Sequence, residues 1–283
     1  MEIKKVGVVG CGTMGSGITQ VCAQSGYQVV VSEINDKLLN KGLASMDRIM
    51  TTAVGKGKLS QQDKDSTQAR IKGTTNTKDF ADCDLVIEAT IEKLDLKKKI
   101  FAELDKICTK HATLASNTSC LSIIDMAIET TRPDKVLGLH FFNPVPLMKL
   151  LEVVGTIATS NETMETGREF GESVGKTIVI AQDAPGFIVN RLMVPQLLNA
   201  IRMLEAGVAT KEDIDTGMTL GLNHPMGPLA LADLVGLDTV HFIASGIYEE
   251  FRDPQYISPT LLIKMVTAGW LGRKTGKGFY DYK

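Results

Sequence analysis

The spacing of apolar positions changes several times along this chain, and each change marks an element. Lys5–Val9 and residues 27–32 are apolar runs of strand length. Between them, Ile18, Val21 and Cys22 fall on one helical face, and Gly26 is placed to end that helix. Residues 36–59 carry Leu38, Leu39, Leu43, Met46 and Ile49 as a helical stripe, interrupted by Gly55-Lys-Gly-Lys58, and residues 61–71 read as a second, polar helix. The pair is longer than a minimal crossover and is placed to reach over a substrate site. Residues 84–89 form a strand that is apolar except at its acidic positions. A basic amphipathic helix at 94–106 and a short strand, Thr113–Ser116, follow. Residues 136–142 and 150–154 read as buried strands on either side of a breaker, Asn143-Pro-Val-Pro146. Beyond Asp183-Ala-Pro-Gly-Phe187 the pattern turns helical. Residues 188–206 carry Leu192, Val194, Leu197, Leu198, Ile201 and Leu204, Thr210 starts a further helix, and two more lie at 229–235 and 239–248. Strands alternating with helices, then helices alone, predict an α/β chain. Its first domain, residues 1–184, is a Rossmann-like doubly wound sheet, and its second, 185–283, is all-helical.

Composition narrows the function classes. The chain has 283 residues, 43% hydrophobic and 23% charged, with a formal net charge of -2, so nothing argues for a nucleic-acid or anionic-membrane partner. No apolar run approaches the length of a membrane span. Met1-Glu-Ile-Lys-Lys leads straight into a strand without a signal or transit pattern. The five cysteines, Cys11, Cys22, Cys83, Cys108 and Cys120, form no CxxC pair and read as free thiols. A cytoplasmic protein is expected.

Three groups of residues carry candidate chemistry. Gly10-Cys-Gly-Thr-Met-Gly15 is a G-x-G-x-x-G set between a strand and a helix. Gly10 permits the turn, Gly12 lets backbone approach a pyrophosphate, Gly15 lets helix and strand pack, and Thr13 and Met14 open the helix. Glu33 ends the next strand, 18 residues after Gly15, where an acid takes ribose hydroxyls and repels a 2′-phosphate, so NAD is favoured over NADP. The second group is His140 and Glu152, on the two strands around the Pro-containing turn. A carboxylate holding an imidazole makes a general base of fixed tautomer, and the alternative is a core histidine satisfied by a carbonyl. The third comprises polar residues in suggestive places. Asn117 and Ser119 sit at a strand's carboxyl end, where doubly wound sheets bind ligands, or are turn and cap residues. Asn190 lies in the first long helix among apolar neighbours, as a substrate contact or a satisfied core amide. Lys56 and Lys58 meet a phosphate-rich ligand or only water. The glycine-rich basic tail covers an interface or packs on the helices.

These stretches together resemble the 3-hydroxyacyl-CoA dehydrogenase family, in its bacterial 3-hydroxybutyryl-CoA branch. The resemblance is carried by the fingerprint, Glu88-Ala-Thr-Ile-Glu92, Ala115-Ser-Asn-Thr-Ser119, residues 138–152, Pro185-Gly-Phe-Ile-Val-Asn-Arg191, Asn223-His-Pro-Met-Gly-Pro228 and Gly272-Arg-Lys-Thr-Gly-Lys-Gly-Phe-Tyr280. Cys120, where a second serine is common, and Thr90, where a small residue is common, depart from it. The resemblance implies hydride transfer between a nicotinamide and an acyl-CoA, interconverting (S)-3-hydroxybutyryl-CoA and acetoacetyl-CoA. It makes His140 the acid–base, Glu152 its partner, and Ser119 and Asn190 the groups that fix the substrate oxygen. It places Glu92, Lys97 and Asn143 near the cofactor, Lys56 near the CoA phosphates, and a homodimer contact in the helical domain. Two other readings stay open: a catalytically silent NAD-binding or structural protein on the same fold, and a dehydrogenase of a free 3-hydroxy acid.

Overall fold

The structure is a computed structural model that describes residues 3–282; Met1 and Glu2, where the reading of the N-terminus begins, lie outside the described residues. Its chain divides into two compact units, Met1–Asp183 and Ala184–Lys283.

In chain order the first unit runs β1 (Lys5–Val9), α1 (Thr13–Gln24), β2 (Gln28–Ser32), α2 (Asp36–Gly55), α3 (Gln61–Ala69), β3 (Ile71–Thr74), β4 (Leu85–Glu88), α4 (Leu94–Ile107), β5 (Thr113–Ser116), α5 (Ile124–Ala127), β6 (Val136–Phe141), β7 (Leu150–Gly155), α6 (Asn161–Ser173) and β8 (Thr177–Gln182). The eight strands form one sheet in the order β3-β2-β1-β4-β5-β6-β7-β8. Every neighbouring pair is parallel except β6 and β7. This is a Rossmann-like doubly wound sheet. Its central strands are buried along their length, as helices on both faces require. The chain leaves β1 toward β2 and β3, then returns to place β4 on the other side of β1. That reversal opens a crevice beyond the carboxyl ends of β1 and β4, where such sheets bind ligands.

Two edge strands depart from the sequence-based expectation. The polar helix predicted to run through residue 71 stops at Ala69, and Ile71 begins β3. β8, on the opposite edge, and α6 had no counterpart in the pattern reading. Within the predicted stripes, Leu39 and Met46 are buried, but Leu38 is 38% and Ile49 is 49% exposed. Asn35 and Ser60 cap α2 and α3 by accepting the Leu38 and Asp63 N–H groups, which fixes where these helices begin.

The second unit is helical: α7 (Val189–Glu205), α8 (Lys211–Gly221), α9 (Pro228–Val235), α10 (Leu237–Phe251) and α11 (Thr260–Thr267). Val194, Leu197, Leu198, Ile201, Leu229 and Val240 are among its core residues, whereas Leu192 of the predicted stripe is 72% exposed. The basic tail packs on the helices of this unit. Buried Asp233 accepts the Phe279 and Tyr280 N–H groups at 3.0 and 2.9 Å and the Tyr282 hydroxyl at 3.0 Å, and Phe279 enters the core. Among the described residues no single helix is long and apolar enough to cross a membrane.

Candidate active site

The glycine fingerprint forms the turn from β1 into α1. Gly10 has φ +98°, open to glycine and strained for other residues, and a Cβ at Gly15 would lie 1.8 Å from the Gly10 carbonyl oxygen. Nothing lies within 4 Å of the Cβ position of Gly12, so the loop is open there. Unlike α2 and α3, α1 has neither a side-chain cap nor an acidic residue in its first turn, where Thr13 and Met14 stand. Its first N–H groups and the positive end of its dipole are therefore available to an anion. Glu33, just past β2, accepts the Cys11 N–H at 2.9 Å, which holds its carboxylate beside the loop. The two border a cavity of about 210 Å³ that Gly12, Thr13, Ser16, Leu38 and Lys41 also line. The exposure of Leu38 thus reflects a cavity wall rather than a failed core contact. These features suit the pyrophosphate and ribose of a dinucleotide.

A buried ionic cluster lies at the ends of β4 and β5. Lys97 on α4 is fully buried, and its ammonium donates to both Glu88 oxygens at 2.8 and 2.7 Å and lies 3.2 Å from Glu92. Glu88, also fully buried, further accepts the Thr90 N–H, the Thr90 hydroxyl and the Ser116 hydroxyl. The threonine that departs from the family pattern is thus engaged by a carboxylate. Glu92 accepts the Thr118 hydroxyl and, at 2.9 Å, the Ser119 N–H. The two expected cofactor neighbours, Glu92 and Lys97, are accordingly tied to the loop that carries Ser119. Glu88 is not among the sequence-predicted site residues, because a lone acid ending a strand gives no sign of the lysine that α4 lays over it.

His140 and Glu152 are register partners across the antiparallel β6–β7 ladder, so their side chains share a face. The His140 Nδ1–H donates to Glu152 Oε2 at 2.5 Å; a carboxylate only accepts, so this bond fixes the tautomer. The other ring nitrogen, Nε2, lies 3.1 Å from Ser119 Oγ. Glu152 is fully buried and His140 is 4% exposed, so water does little to screen the pair. Phe142 packs its ring 4.6 Å from the imidazole. Asn117 accepts the Phe141 N–H at 2.9 Å, joining β5's end to β6. The arrangement is an oriented imidazole with a hydroxyl at its basic nitrogen.

The remaining sequence-predicted residues are placed as follows. Asn143 is exposed in the β6–β7 turn, and Lys56 is exposed just beyond α2. Asn190 is buried in the first turn of α7. A further cavity, of about 390 Å³ in the second unit, is lined by residues including Asp215, Arg273, Tyr280 and Tyr282 and holds none of the predicted site residues.

The combination of a dinucleotide loop and a carboxylate-backed histidine on one doubly wound sheet defines a nicotinamide-linked dehydrogenase scaffold, and the chain belongs to the 3-hydroxyacyl-CoA dehydrogenase family. The family's NAD binding domain matches residues 5–184, and its C-terminal domain matches 186–282. Among relatives, a 3-hydroxybutyryl-CoA dehydrogenase of Clostridioides difficile is 48% identical, covering 98% of this chain and 99% of that protein. The crystal structure of Mycobacterium tuberculosis FadB2 superposes with a TM-score of 0.98 at 47% identity, covering 100% of both chains. That of an (S)-3-hydroxybutyryl-CoA dehydrogenase from Ralstonia eutropha gives 0.95 at 45% identity, again covering 100% of both.

Proposed function

We propose that this protein interconverts (S)-3-hydroxybutyryl-CoA and acetoacetyl-CoA, with NAD as the redox partner and His140 as the acid–base. The single observation that carries the reading is the Glu152–His140–Ser119 line, with Nδ1 held by a buried carboxylate and Nε2 beside a hydroxyl. In oxidation, Nε2 accepts the proton of the substrate's 3-hydroxyl, and Glu152 stabilises the imidazolium that results. In reduction, the same nitrogen returns the proton to the oxygen on C3. Ser119 and Asn190 hold that oxygen, and Glu92 holds Ser119 through its N–H. Gly10, Gly12, Thr13, Met14 and Gly15 receive the pyrophosphate, and Glu33 takes the ribose hydroxyls. Asn143 and the Glu92–Lys97 pair border the cofactor, and Lys56 meets the phosphates of CoA. The bound nicotinamide supplies the hydride exchange at C3.

We read the enzyme as a cytoplasmic homodimer joined through its second unit. Exposed apolar residues there, such as Val208, Leu220 and Leu222 at 68%, 82% and 63%, support the contact, and five buried free thiols suit a reducing compartment. The test is consumption of NADH on adding acetoacetyl-CoA, compared with free acetoacetate. Turnover of the thioester and not of the acid is expected. Binding of NADH without turnover of either would favour a catalytically silent NAD-binding protein, and equal turnover would favour a dehydrogenase of a free acid.

A further inference from the structure

Lys176 stands one residue before β8 and is only 9% exposed. Its ammonium donates to the carbonyl oxygens of Val145 and Met148 at 2.6 and 2.8 Å, and among the described residues it forms no ion pair with a carboxylate. Burying an ammonium without a counter-charge is unfavourable. Burial accordingly lowers the affinity of Lys176 for its proton, against a smaller opposing effect from Cys22. An apolar side chain of similar length would remove that penalty but leave the Val145 and Met148 carbonyl oxygens without this donor, so the two effects on stability oppose each other.

Val145 and Met148 belong to the turn that joins the strand of His140 to the strand of Glu152. The same turn also rests on α1. A Cβ added at Gly17 would come within 2.9 Å of the Val145 Cβ, which has no freedom to swing away. The turn therefore touches the helix that opens on the glycine fingerprint and is also bonded to the ammonium of Lys176.

We propose that Lys176 is a positioning residue for the reaction. Its ammonium locks residues 143–148 against α1 and so fixes the spacing between the dinucleotide loop and the His140–Glu152 pair. The inference rests on the reading of His140 as the acid–base.

The test is Lys176→Met in the full chain, read by melting temperature, by ADP-ribose affinity and by turnover of acetoacetyl-CoA with NADH. ADP-ribose probes the fingerprint and Glu33 without the nicotinamide. Expected are a melting temperature within about 5 °C of the wild type, because the removed charge burial and the two deprived carbonyls oppose each other, ADP-ribose affinity within about twofold, and a kcat reduced roughly tenfold to a hundredfold, the scale of a misplaced reacting group. Gly17→Ala pushes the same turn through the Val145 Cβ and is expected to lower kcat on the same scale with ADP-ribose affinity kept, at some cost in melting temperature from the added contact, whether or not Lys176→Met folds. A kcat within about twofold of wild type in either folded variant would overturn the proposal. So would a kcat loss that travels with a lower melting temperature and weakened ADP-ribose binding. Failure of the wild type itself to turn over acetoacetyl-CoA would instead count against the proposed function, which keeps the two failures apart.

Discussion

Replacing Glu152 by Gln removes one charge from the site and little else. The amide has the volume of the carboxylate and still presents an oxygen to Nδ1–H, so the β6–β7 register and the packing around Glu152 are expected to survive. What is lost is the charge that stabilises an imidazolium. With the two charge centres about 4 Å apart and an effective dielectric of about 20, that interaction is worth about 4 kcal/mol. The pair is fully buried on the carboxylate side, with a 2.5 Å Nδ1–Oε2 contact, so solvent does not make up the loss. At 1.36 kcal/mol for each factor of ten, kcat is expected to fall by about three orders of magnitude. The assay is steady-state NADH oxidation with acetoacetyl-CoA, beside NADH affinity measured by fluorescence. Affinity within about threefold of wild type is expected, because Glu152 is directed at the imidazole and not at the fingerprint. A kcat that falls less than about threefold would refute the reasoning, since the carboxylate would then be a packing group.

Three further outcomes follow from other parts of the molecule. Glu33→Ala should weaken NADH and narrow its advantage over NADPH by about tenfold or more, since like charges near 4 Å cost on the order of 1–4 kcal/mol; a wild type that already prefers NADPH would contradict the role of Glu33. Asp105→Asn should destabilise the chain by about 3 kcal/mol in denaturant unfolding, because it leaves the buried Arg132 guanidinium, 2.7 Å from Asp105, without its counter-charge. Burial raises the Asp105 carboxyl, but hydrogen bonds from Arg132 and Thr131 outweigh it and hold the group below its ordinary 3.8. The wild type should therefore have this stability above about pH 4 and lose it as pH falls through the lowered folded value, a slope the Asn variant should lack. Burial pushes Cys11 and Cys108 up to about 11 and Cys22, Cys83 and Cys120 up to about 12. A thiol-specific disulfide reagent at pH 8 should therefore react with none of the five in the native protein and with all five after denaturation; fast stoichiometric labelling of the native chain would contradict this.

How much of this was legible beforehand depended on how local the signal is. β1, α1 and β2 were readable because strand, fingerprint, helix and terminal acid follow one another within a short stretch, each with its own residue requirement. The His140–Glu152 pairing was readable for a similar reason: two apolar runs around one turn leave few registers, and the observed one sets the two residues directly opposite. Of the two edge strands, only β3 lacks a sequence signal. β3 is Ile-Lys-Gly-Thr, a short run with neither alternation nor apolar continuity, whereas β8, Thr-Ile-Val-Ile-Ala-Gln, carries a β-branched apolar run that meets the strand criterion. The ionic cluster was hidden for a different reason. Lys97 sits in a basic helix whose lysines look solvated, and only the sheet reveals that α4 lays this one over Glu88 and Glu92. Lys176 has no sequence signal at all, because its partners are backbone carbonyls. Leu38 and Leu192 keep the helical spacing of core positions yet are exposed, Leu38 in the wall of the cavity beside the glycine fingerprint; spacing defines a helix face and not what covers it.

Whether Nε2 of His140 moves the substrate proton is tested most directly by single-turnover reduction of acetoacetyl-CoA by the His140→Gln variant preloaded with NADH. NADH is expected still to bind while the rate of its oxidation falls by orders of magnitude; a variant that binds NADH and oxidises it at close to the wild-type rate would remove His140 from that role.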